Sequence, residues 1–70
     1  MTDIRPSSGK TSLYRFAEPG GTELETRAFD SDDAAETYAR ELPKARETPI
    51  IIERHNHVDW EYVTEVDERP

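Results

Sequence analysis

The sequence predicts an α+β domain of ββαββ order, a four-stranded, mainly antiparallel sheet with one helix packed on one face. Three observations carry that expectation. Residues 11–29 and 48–66 each hold two stretches rich in β-forming residues with turn residues between them. The segment between these two halves has a helical rather than an alternating apolar period. It is bounded by capping residues on one side, Asp30-Ser31-Asp32-Asp33, and by Pro43 on the other.

Residues 11–18 place β-formers at alternate positions, and Glu18-Pro19-Gly20-Gly21 then puts proline and glycine where a type II turn wants them. The return strand, residues 22–29, sets Leu24, Thr26 and Ala28 on one side and Glu23, Glu25, Arg27 and Phe29 on the other. In the helix, Ala35, Tyr38, Ala39 and Leu42 fall on one stripe, and Glu36 can pair with Arg40 one turn on. The acids before it offer cap oxygens and suit the positive end of the helix dipole. Pro43 disfavours helical geometry at Leu42, so the helix should end there and residues 43–48 should form a connector.

The third strand is residues 48–54 and the fourth residues 58–66, joined through His55-Asn56-His57, where Asn56 is expected to take a left-handed conformation. Strict alternation places Ile50, Ile52 and Arg54 with Trp60, Tyr62 and Thr64 beneath the helix, alongside Leu24, and makes Trp60 the most damaging residue to lose. The opposite parity gives an outer face on which Ile51 and Val63 form an apolar centre inside Glu53, Asp59, Glu61 and Glu65, with His55 near Asp59. The domain is expected to span residues 11–66, with 1–10 a flexible lead-in and 67–70 a frayed tail.

Size limits stability. A chain of 70 residues buries only about 60% of the surface its unfolded form exposes. With no cysteine for a disulfide, self-association as a homodimer is the expected reinforcement, through residues 22–29 or 48–54 as a sheet edge. The same lack of cysteine removes thiol and zinc-thiolate chemistry and makes the cytoplasm the expected location. The longest apolar run is Ile50-Ile51-Ile52, far short of a membrane span.

Sixteen Asp and Glu stand against nine Lys and Arg, for a net charge of −7. Such a balance opposes direct binding to nucleic acid or anionic lipid. It points to a non-enzymatic module that engages another protein, one with a basic surface such as normally holds nucleic acid. The expected contact residues are Ile51, Glu53, Asp59, Glu61, Val63 and Glu65. The compact, cysteine-free, acidic format is similar in general character to accessory proteins of bacteriophages, some of which mimic DNA or block host enzymes. That similarity is of composition and rests on no motif.

Two alternatives belong beside this reading. The first is a small metal-binding protein or enzyme centred on His55, His57 and Asp59, which alternate along the chain and offer donors that suit zinc or nickel, although a site needs three or four converging ligands. Seven Arg against two Lys, with excess acid, also fits adaptation to high salt. No cofactor is implied. Ser7, Ser8, Ser12 and Ser31 have no motif tying them to a histidine, and Gly20-Gly21 lacks the spacing of a phosphate loop. A carboxylate pair such as Glu53 and Glu61 would need a desolvating cleft to work as acid and base.

Overall fold

Alternating β-branched and aromatic residues make four strands, and the Ala-rich segment between them makes the helix. The computed structural model of the chain describes residues 11–70, so the expected lead-in, residues 1–10, lies outside the described residues. Strands β1 (Ser12–Ala17) and β2 (Glu23–Phe29) precede helix α1 (Asp32–Glu41), and β3 (Ile50–His55) and β4 (Trp60–Val66) follow it. They form one antiparallel sheet with α1 on one face, as the ββαββ pattern implies, and its strands lie in the order β2-β1-β3-β4. Phe16, Ile50 and Ile52 are fully buried beneath the helix, with Tyr14 and Val66 almost so.

The helix begins and ends for local reasons. Ser31 is the N-cap, its side chain accepting a bond from the Ala34 N–H at 3.0 Å, and Asp32 and Asp33 occupy the first turn. Leu42 is extended, with φ −68 and ψ 134, as the residue before a proline prefers. Ala35 and Ala39 are completely buried, and their small side chains let the helix lie close to the sheet. The connector is more ordered than expected. Pro43–Arg46 forms a short 3₁₀ helix that buries Ala45, and the Ala45 carbonyl accepts a bond from the Glu68 N–H at 3.2 Å. The C-terminal tail is tied at that point.

Both edge strands carry a bulge. Phe16 lies opposite Glu25 and Ala17 opposite Glu23, so Leu24 is an extra residue in β2. Ile52 lies opposite Thr64 and Glu53 opposite Tyr62, so Val63 is an extra residue in β4. An extra residue reverses the in/out parity of everything beyond it. Leu24 and Val63 both pack against the core from these positions.

The bulges overturn two expected assignments. In β2, Phe29 rather than Ala28 turns to the helix, where it meets Tyr14 and Phe16 edge-on with ring centroids 6.0 Å apart. In β4, Trp60 pairs with His55 and Tyr62 with Glu53, which places both aromatics on the face away from the helix. Tyr62 is 64% exposed. Glu61 takes the inner position opposite Arg54 instead.

Three smaller corrections concern turns and edges. The left-handed residue of the first hairpin is Gly21, at φ 101, not Gly20 as a type II turn requires. The Gly21 N–H closes the turn on the Glu18 carbonyl at 2.8 Å. In the second hairpin His57 takes the positive φ, at 80. Asn56 acts through its side chain, its Oδ1 accepting from the N–H groups of Val58 at 3.0 Å and Asp59 at 2.8 Å. Finally, β3 is an interior strand paired with both β1 and β4, so residues 48–54 cannot serve as a free edge.

The core so defined ranks substitutions differently from simple alternation. Phe16→Ala is expected to cost about 3–5 kcal/mol, most of what so small a domain has. Trp60→Ala, on the open face, should cost about 1–2 kcal/mol. Urea titration of both variants checks the order, and a larger loss for Trp60→Ala would return that residue to the core.

Candidate functional site

The two faces of the sheet are built from different interactions. On the helix side, polar groups are used to attach α1. Tyr14 donates its hydroxyl to Asp32 Oδ1 at 2.6 Å, and Arg54 Nη1 donates to both oxygens of the same carboxylate at 2.7 and 2.9 Å. Arg54 Nη2 also reaches Glu61 at 3.2 Å, and Asn56 donates to the other oxygen of Glu61 at 3.0 Å. One chain of bonds therefore links β1, the helix N-terminus, β3, the second hairpin and β4. At the other edge, Tyr38 donates to Glu25 at 2.7 Å, and Arg27 bonds the same oxygen while lying over the Tyr38 ring, 5.2 Å from its centroid.

These contacts set the titration of their members. The Tyr14 hydrogen bond, followed by that of Arg54, holds the Asp32 carboxyl below its usual value. Burial, then the bond to Asp32, pushes the Tyr14 phenol up. The Asn56 and Arg54 bonds lower Glu61, and those from Tyr38 and Arg27 lower Glu25.

The opposite face is covered by no helix among the described residues. Across it run Thr26 and Ala28 of β2, Leu13, Arg15 and Ala17 of β1, Ile51, Glu53 and His55 of β3, and Trp60, Tyr62 and Glu65 of β4. Arg15 is its hub. The guanidinium lies over the Trp60 ring, 4.5 Å from the centroid, and binds Glu53 Oε1 through Nη2 at 2.6 Å and Nε at 2.9 Å. His55 meets the other side of the group, edge-on to Trp60 at 5.0 Å. Leu13 is 48% exposed beside this cluster.

Of the expected contact residues, the structure brings Ile51, Glu53 and Glu65 together on the open face. It removes three. Val63 is the bulge residue packed on the core, Glu61 belongs to the Arg54 network on the helix side, and Asp59 lies in the turn, where its Oδ1 accepts the Trp60 N–H at 2.8 Å. Alternation had missed Arg15, Trp60 and Tyr62. The signal for the last two was present in the adjacent apolar pair Tyr62-Val63, which breaks the alternation where the bulge falls.

The remaining chemistry is limited by the same geometry. His55 faces Trp60 on the sheet, while the His57 N–H donates to His55 Nδ1 at 3.3 Å. Among the described residues no group of three or more His, Cys, Asp or Glu converges as metal ligands would. Glu53 and Glu61 lie on opposite faces of the sheet and cannot act on one substrate. The open face also holds a concavity. A shallow cleft of about 330 Å³ lies at the end of the first hairpin, lined by Arg15, Ala17, Glu18, Pro19, Gly21, Glu23, Ile51 and Glu53. Among the described residues, no helix is long and apolar enough to cross a membrane. Comparison with protein-family models, with curated proteins and with solved structures finds no match.

The clamp on α1 has a pH signature. A carboxylate lowered by folding contributes stability that is present above its unfolded value, 3.8 for Asp32, and is lost as pH falls through the folded value. A phenol raised by folding contributes stability present below its unfolded value, 10.0 for Tyr14, and lost as pH rises through the folded one. Melting temperature against pH should therefore fall at both ends. Asp32→Asn is expected to flatten the acid limb and Tyr14→Phe the alkaline limb. Unchanged limbs in both variants would mean that the clamp carries no stability.

Proposed function

We propose that the chain is a non-enzymatic, cytoplasmic protein-binding module whose partner, a protein with a basic surface, docks on the uncovered face of the sheet. The observation that carries this reading is the composition of that face. Trp60 and Tyr62 stand beside Leu13, Ile51 and Arg15, with Glu53 and Glu65 around them. Tyr, Trp and Arg are the residues over-represented where binding energy concentrates, because each combines a large desolvated surface with a polar handle. The net charge of −7 favours a partner of opposite sign, and a surface that otherwise holds nucleic acid meets that description.

The roles divide between centre and rim. The aromatic and aliphatic side chains hold the complex, and the acids speed the encounter and make it sensitive to salt. The revised contact set is Leu13, Arg15, Ile51, Glu53, Trp60, Tyr62 and Glu65. Glu61 is outside it, because reversing its charge would damage the Arg54 network rather than the interface.

Two measurements test the proposal. Tyr62→Asp alters an exposed side chain and is expected to leave the fold intact while removing basic partners from a quantitative affinity capture from native lysate. Retention of the same partners at the same yield would make the open face a solvated surface. The second measurement concerns the homodimer that the small core favours. Both sheet edges, β2 and β4, carry a bulge and charged side chains, features that oppose pairing with another strand. The module is thus proposed to act as a single copy, with sedimentation at micromolar concentration giving an 8.1 kDa species. Twice that mass would restore the dimer.

A further inference from the structure

We infer that the cleft at the hairpin end of the open face is a receptor for one long cationic side chain, arginine or lysine, presented by the basic partner. This rests on the binding-module reading and names the chemistry its partner brings. Ala17, Pro19 and Ile51 give the cleft an apolar part to its lining, and the acids Glu18, Glu23 and Glu53 line it too, against the single guanidinium of Arg15. Gly21 contributes no side chain, so that wall stays open, and a Cβ placed there would meet no atom within 4 Å.

The carboxylates are incompletely used. Arg15 places both of its bonds on Glu53 Oε1, and among the described residues no donor reaches Oε2, although the Glu53 side chain is only 25% exposed. Glu23 gives one oxygen, Oε2, to the Thr26 hydroxyl at 2.7 Å. Glu18 forms a loose ion pair with Lys44, at 3.9 Å through Oε2. A partly desolvated carboxylate oxygen with no donor is a cost that an incoming N–H group removes.

Shape and charge select the occupant together. An arginine or lysine carries a methylene stem that can lie along Ala17 and Ile51 while its head reaches the acids, as such side chains commonly do on apolar surfaces. A neutral apolar side chain would bury the carboxylates without replacing their water, and an acidic one would be repelled. A second copy of this face is disfavoured for the same reason, since it would bring Glu23, Glu53 and Glu65 against their like.

The test uses the full chain, isotopically labelled, titrated with acetylated and amidated peptides of four arginines, four lysines and four citrullines, followed by backbone amide shifts. The expected result is saturable movement of Ala17, Gly21, Ile51 and Glu53 with the arginine or lysine peptide and none with citrulline, which has arginine's shape without its charge. Whichever of the two charged peptides binds more tightly identifies the head group. Glu23→Gln is expected to weaken binding about three- to tenfold, the value of one exposed charge contact. Non-saturating shifts spread over all the acids, including Asp30 to Asp33, would overturn the site, as would equal binding of citrulline. Tyr62→Ser separates this inference from the wider reading, because it removes the exposed ring without adding a carboxylate beside Glu53, and it should weaken partner capture yet leave the peptide titration unchanged. Peptide binding lost in Tyr62→Ser but kept in Glu23→Gln would place the contact at the aromatics rather than in the cleft.

Discussion

Ten residues of helix, about 15 Å at 1.5 Å per residue, must close one face of a sheet four strands wide, and the arrangement of side chains follows from how that is achieved. The helix presents Ala35 and Ala39 to the sheet, so it sits close, and adds Tyr38 against Phe16 and Phe29 and Leu42 at its end. The sheet supplies the bulk, with Phe16, Ile50 and Ile52 at the centre and Leu24, Phe29 and Val63 coming in from the edges. Polar contacts fix the helix at both ends of its span. Tyr14 and Arg54 converge on Asp32 at the N-terminus, and Arg40 reaches Glu68 near the C-terminus. On so short a helix these bonds act beside the packing of Tyr38 and the two alanines to set where it lies.

The bulges in β2 and β4 are part of the same solution. In an unbulged β2, Leu24 and Phe29 would stand on opposite faces, since they are five positions apart. One extra residue lets both reach the core. In β4 the same device turns Val63 inward beside Thr64 and Val66 and sends Tyr62 and Trp60 outward. Bulges occur at sheet edges for a further reason, because they spoil the regular row of backbone donors and acceptors that another chain could pair with.

The element order was legible in the sequence because each boundary has its own local cause: Ser31 as a cap, Pro43 as a stop, Pro19 to Gly21 and Asn56 as turns. Parity was not, because a bulge is a cooperative property of two strands and leaves no obligatory residue behind. Its traces were indirect, the neighbours Tyr62 and Val63 and the odd spacing of Leu24 from Phe29. The candidate site inherited the error wherever it lay beyond a bulge. Ile51 and Glu53, on the unbulged β3, were placed correctly, and so was Glu65, between the bulge and the C-terminus of β4. Glu61 and Trp60, beyond it, were exchanged between the faces.

That exchange changes the physical character of the open face. With Glu61 withdrawn and Arg15 neutralising Glu53, the middle of the face is an ion pair stacked on an indole rather than an apolar centre in an acidic ring. Much of the remaining acid lies elsewhere, several residues already paired: Glu36 with Arg40, Asp32 and Glu61 with Arg54, Asp67 with Arg69. Excess negative charge thus acts as a long-range field around a centre whose own charges are balanced. In the proposed mode of binding, a partner attracted by that field would meet side chains already held in place, since Arg15 is fixed by Trp60 and Glu53 and Trp60 by His55. Less side-chain entropy is then left to lose on contact, and in a domain with so little stability to spare, a prearranged surface is the cheaper way to make binding strong.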